Sequence, residues 1–118
     1  MTDSQPTTAY KILSRADWRA TLAGGLYEGS PVDRADGYIH LSALDQLAGT
    51  AARHYASQSD LMLVEVDLTA LDDSLIWEPS RGGALFPHIY GSLPVAATRS
   101  ARALSVTADG EMILSEIP

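Results

Sequence analysis

Asp36-Gly37-Tyr38-Ile39-His40-Leu41-Ser42 reads as a short strand running into the cap of the longest helix, and the rest of the chain is arranged around it. Side chains alternate across a strand, so Tyr38, His40 and Ser42 share one face while Ile39 and Leu41 enter an apolar layer. Phe86-Pro87-His88-Ile89-Tyr90-Gly91 repeats the design, with Phe86, His88 and Tyr90 on one face and Ile89 on the other. If the two strands are neighbours, His40, Ser42, His88 and Tyr90 line one cleft.

Upstream, Tyr10-Lys11-Ile12-Leu13 predicts a strand, and Ser14-Arg15-Ala16-Asp17 a capped helix start. Trp18 and Leu22 form that helix's apolar stripe, and Gly24-Gly25 end it. The Gly-, Ser-, Pro- and Asp-rich stretch from Tyr27 to Asp36 has no periodicity and predicts a surface loop, with Arg34 near its end.

Downstream, Ser42-Ala43-Leu44-Asp45 predicts a second cap, after which Leu44, Leu47, Ala48, Ala51, Ala52 and Tyr55 recur at helical spacing. Arg53 and His54 fall in the last turn, where positive charge complements the helix dipole. Leu61 to Leu68 predicts a strand with Met62, Val64, Val66 and Leu68 on an apolar face and Glu65 on a mixed one. Thr69-Ala70-Leu71-Asp72 suggests one helical turn, and Leu75-Ile76-Trp77-Glu78 a strand stopped by Pro79. Ser80-Arg81-Gly82-Gly83 reads as a flexible turn, and Ala103 to Thr107 with Glu111 to Leu114 as a hairpin. Short strands and two main helices that do not strictly alternate give an α+β fold with a bent or split, mostly antiparallel sheet, its helices on one side.

A chain of 118 residues fits one domain, 1–118, with 46% hydrophobic and 19% charged residues; only residues 1–8 read as flexible. The start lacks a signal-peptide pattern and no apolar run is long enough to span a bilayer, so a cytoplasmic protein without a membrane partner is expected. The absence of cysteine removes thiolate nucleophiles and cysteine-held metal sites. A net charge of −7 opposes binding to nucleic acid, and Arg99 with Arg102 make too small a basic patch to reverse that. No metal is expected, since no His-x-His or His-x-x-x-His spacing occurs. The oligomeric state is not legible.

Each candidate side chain has two readings. His40 can orient a ligand or move a proton, or be a core imidazole bonded to a carbonyl. Ser42 can receive a ribose or anion oxygen, or simply cap the helix. His88 and Tyr90 can grip a planar ligand, or pack in a core. Glu65 can stabilise positive charge or pair with Arg81 or Arg34. Glu78 and Arg81 can anchor a phosphate or carboxylate, or pair with one another.

The two histidine motifs, with Gln46, Leu63-Val64-Glu65-Val66-Asp67, Trp77-Glu78 and Arg81-Gly82-Gly83, resemble the bacterial family called domain of unknown function 952 over Tyr10 to about Val95. That resemblance implies a fold like that of the ADP-ribosyltransferases, a split sheet binding NAD in a cleft. It further implies that His40 and Ser42 hold the NAD ribose, with Leu41 where those enzymes usually have glycine. Tyr38 joins His40, Ser42, Tyr90 and Arg81 as the nucleotide-binding set, Tyr90 stacking on a flat ring and Arg81 meeting a phosphate. His88, with Glu65 or Glu78, would stabilise charge as a glycosidic bond breaks. The expectation is a protein that binds NAD or a related small nucleotide and transfers or cleaves at its ribose; the alternative is a binding module without turnover.

Overall fold

The structure, a computed structural model, describes residues 6–115; the side chains of Arg81 and Ser115 lie outside the described set. The chain opens with β1 (Thr8–Ser14), α1 (Arg15–Gly24), β2 (Leu26–Tyr27), α2 (Pro31–Asp36), β3 (Ile39–His40) and α3 (Leu44–His54). It continues through β4 (Leu61–Asp67), β5 (Leu75–Pro79), β6 (Leu85–Ile89), β7 (Leu93–Pro94), β8 (Thr98–Val106) and β9 (Met112–Ser115). The strands form sheets of order β1-β4-β8-β9, β2-β7 and β3-β6-β5, every pairing antiparallel. This is a single α+β domain with a split sheet.

Its two halves meet at the edge of the large sheet. Ser42 N–H donates to the Tyr10 carbonyl and Tyr10 N–H to the Ser42 carbonyl, while Leu41 N–H donates to Pro87. The segment after His40 thus pairs on one side with β6 and on the other with β1. Residues 1–5 of the expected flexible start lie outside the described residues; Thr8 already pairs with Asp67, and Leu68 N–H donates to Thr7.

β4 is buried on both faces. Met62, Val64 and Val66 join Ala9, Leu13, Trp18, Ile39, Leu41 and Ile89 in one core, while Leu61 and Leu63 join Ile12, Leu47, Ala51, Leu104 and Val106 in another. α1 and α3 therefore serve opposite faces of the large sheet, correcting the expectation of one helical side. Fully burying Ile39, Leu41 or Ile89 contributes about 1.5–3 kcal/mol each, which makes the first core a firm seat for the strand between them.

Three local expectations need correction. The stretch read as a loop contains β2 and α2, because Ser30 Oγ accepts from Asp33 N–H at 3.1 Å and Asp33 Oδ2 accepts from Ser30 N–H at 2.9 Å. That reciprocal cap, with Pro31 at the first helical position, starts a helix that Gly37 stops in a left-handed conformation (φ 90°). The α3 cap is Ala43 rather than Ser42, its N–H donating to Gln46 Oε1 at 3.0 Å. Finally, Leu22 and Leu44 face outward, Leu44 being 70% exposed; Trp18 with Thr21, and Leu47 with Ala51, are the buried positions.

Candidate functional site, a histidine-lined cavity

β3 and β6 set His40 directly opposite His88, with ring centroids 5.5 Å apart in an edge-on arrangement. Both rings line a cavity of about 560 Å³ between β1, the β3–β6 ladder, α2 and α3. Ser42, Thr50, Arg53, His54, Tyr55 and Phe86 line it too. The shared face read from the two motifs therefore exists, and it opens on a hollow of small-molecule size.

Each imidazole rests on a carboxylate. His40 Nδ1 lies 2.6 Å from Asp33 Oδ1, and His88 Nδ1 lies 2.7 Å from Glu78 Oε1. Tyr90 OH donates to the same Glu78 carboxylate, at 2.8 and 3.0 Å. His88 and Tyr90 hold Glu78 below the usual carboxylate range, and the bond to Glu78 in turn pushes the Tyr90 phenol up to about 12. Tyr38 stacks on His88 at 4.1 Å and 22° between planes, and also borders His40 and Tyr90.

Behind His40 lies a charged pair that the sequence reading did not include. Lys11 points from β1 into the first core, 5% exposed, and its Nζ lies 2.9 Å from Asp33 Oδ2 and donates to the His40 carbonyl at 3.0 Å. Asp33, 2% exposed, also accepts from the His40 backbone N–H at 3.2 Å. Burial pushes Asp33 up, but its hydrogen bond with His40 and the adjoining Lys11 ammonium hold it below the carboxylate range. Burial lowers Lys11, against the pull of Asp33. The pair fixes the ring plane of His40 from the inside, as a supporting carboxylate fixes a histidine in many sites. On the outside, His40 Nε2 lies 2.9 Å from Asp36 Oδ2 at the mouth of the cavity.

Residues 12–101 match a family described as Protein of unknown function (DUF952). The chain belongs to that family. Both histidine strands of this DUF952 protein lie inside the matched span. The crystal structure of protein CC0527 from Caulobacter crescentus is 48% identical, with 91% of this chain and 94% of that one covered and a TM-score of 0.86. The solution NMR structure of CC0527 is 47% identical over 94% and 93% of the two chains, with a TM-score of 0.78. No curated protein matches the chain.

The DUF952 chain gathers some of the expected residues and separates others. His40, Ser42 and His88 line the cavity, although Ser42 Oγ is already bonded to Thr50 Oγ1 at 2.7 Å. Tyr38 and Tyr90 pack around the histidines, and neither is among the residues that line the cavity. Glu78 reaches the site only through His88. Glu65 belongs to the large sheet, where Arg99 Nη1 stands 3.8 Å away and Ser100 Oγ donates to it at 3.4 Å. The Arg81 side chain lies outside the described residues. Arg53 and His54, read as helix-end charges alone, line the cavity. Lys11 carried a usable signal, a lysine on the inward parity of an apolar strand, and Asp33 carried another in the Ser-Pro-x-Asp cap.

Among the described residues no group of three or more His, Asp or Glu side chains is placed to hold a metal ion. None of the described helices is long and apolar enough to cross a membrane.

Proposed function

We propose that the cavity binds a nucleotide of the NAD class and that its two histidines act at the ribose. One observation carries this reading: opposed imidazoles, each backed by a carboxylate, border a single hollow of about 560 Å³. A histidine whose Nδ1 is fixed by a carboxylate presents Nε2 for hydrogen bonding or proton transfer. His40 is the reachable partner, its side chain one third exposed, whereas His88 forms the floor at 2% exposure.

In this reading His40 contacts the ribose, Ser42 and Thr50 border it, and Arg53, with His54 beside it, supplies positive charge for the phosphates. His88, supported by Glu78, stabilises charge that develops as the bond to the ribose breaks. Tyr38 and Tyr90 hold the histidines in place. The comparison with an ADP-ribosyltransferase cleft draws its support from the cavity that β1 and the β3–β6 ladder border.

A non-catalytic module is the second reading, favoured by the position of the carboxylates. Among the described residues no glutamate lines the cavity; its acids are Asp33 and Asp36, both engaged with His40. Calorimetric titration with NAD and ADP-ribose, followed by chromatography for released nicotinamide, separates the possibilities. Binding that disappears in His40→Ala, with nicotinamide release, supports the catalytic reading, and binding without release supports the module. Equal affinity in wild type and His40→Ala sinks both.

A further inference from the structure

Asp33 and Asp36 sit one helical turn apart and both face His40, yet their situations differ. Asp33 is locked: it is buried and holds Lys11 Nζ, Ser30 N–H, the His40 backbone N–H and His40 Nδ1. Asp36 is the last residue of α2, its side chain is 47% exposed, and its carboxylate reaches across the cavity mouth to His40 Nε2 at 2.9 Å. A rotation about the Asp36 side-chain bonds is enough to release that contact, with the backbone of α2 left in place.

The charges around this point favour replacing one anion by another. Lys11 and Asp33 neutralise each other at 2.9 Å. The formally charged residues that remain on the lining are Asp36 and Arg53, accompanied by His40, His54 and His88. When the Asp36 carboxylate swings out, a cationic recess is exposed in a chain whose net charge is −7.

We infer that Asp36 is a built-in competitor, its carboxylate occupying the place at His40 Nε2 that a ligand's anionic oxygen takes on binding. The ligand class is thereby narrowed to molecules presenting a phosphate or carboxylate oxygen to His40 Nε2; for a nucleotide, that oxygen belongs to the phosphate carried by the ribose that His40 contacts. The inference rests on the cavity assigned above, but not on the ligand being a nucleotide. Asp36 is accordingly a specificity-determining residue: it excludes neutral ligands that cannot displace it, and it weakens anions by the cost of moving aside.

The test uses the full-length chain with inorganic phosphate and, separately, acetate as probes. Imidazole nitrogen–proton NMR spectra follow His40 during each titration of wild type, Asp36→Ala and Asp36→Asn. Asp109→Ala, on the turn between β8 and β9 and outside the cavity lining, controls for the loss of one negative charge. The expected result is a dissociation constant for phosphate at least about tenfold lower in Asp36→Ala, equivalent to about 1.4 kcal/mol. Asp36→Asn should fall between, Asp109→Ala should match wild type, and the His40 signals should move in every titration that binds. Tighter acetate binding with unchanged phosphate binding would specify a carboxylate ligand. Equal constants in Asp36→Ala and wild type for both probes, equal gains in Asp109→Ala, or binding that leaves His40 unmoved would overturn the inference. Because no nucleotide is used, a failure to bind NAD would remove the nucleotide reading and leave this result standing.

Discussion

Lys11 and Asp33 leave water together, and neither tolerates the loss of the other. Removing the ammonium strands a carboxylate that is 2% exposed, a change that typically costs about 3–5 kcal/mol. Lys11→Met should therefore lower stability in urea by several kcal/mol and detach His40 from its inner support; a loss below about 1 kcal/mol would show that the pair is not the anchor described. Tyr27 gives the opposite expectation. Its hydroxyl is buried without a partner among the described residues, and its phenol is pushed well above the usual range, by burial first and the Asp33 charge second. Removing an unpaired buried hydroxyl relieves a desolvation cost of about 1–3 kcal/mol, so Tyr27→Phe should be neutral or stabilising in thermal melts, and a clear drop in Tm would reveal a missing bond. At this scale the histidines were legible because alternation alone sets their face. Lys11 was missed, because a lysine in a strand is ordinarily read as solvated, although its parity with Ala9 and Leu13 puts it on the inward side.

At the scale of elements, α2 decides whether the cavity has a wall. It was hidden by composition: Gly29, Ser30, Pro31 and Asp33 are all turn residues, and six residues of helix are too few to show a period. The reciprocal Ser30–Asp33 bonds carry the start, so Ser30→Ala should cost about 1 kcal/mol of stability. Gly29→Ala should cost more, since Gly29 has φ +104° and an added Cβ would stand 2.9 Å from Asp33 Cβ. Urea denaturation of both variants checks the order, and a harmless Gly29→Ala would mean that Asp33 has room to shift. The Ser42 cap misled for a related reason. Ser-x-x-Asp fits a helix start one residue earlier than the one used, and pairing of Ser42 with Tyr10 in a β-bridge won over capping. The strands, by contrast, were largely readable, because both faces of β4 are apolar up to Leu63 and the hairpin carries an Asp-Gly turn.

For the whole molecule, the carboxylates behind the two histidines couple the site to acid stability. Asp33 and Glu78 are both held below their ordinary values of 3.8 and 4.5. The stabilisation they give is complete above those values and is lost as pH falls through the lower folded ones. Tm should thus stay nearly level from neutral pH to about 5 and drop below about 4, less steeply in Glu78→Gln; a Tm that rises on acidification would reverse the sign. The split sheet was legible as a class, but the cavity was not: it is bordered by β1, α2, α3 and the β3–β6 ladder, elements scattered along the chain, and no local pattern encodes such a hollow. The claim on which the functional reading depends is that both imidazoles face one ligand. Imidazole nitrogen–proton spectra of the full chain, recorded as ADP-ribose is added, test it most directly. The account predicts that the His40 and His88 signals move together along one binding curve, with His40 moving further; signals that stay still, or shifts confined to residues away from the cavity, would contradict it.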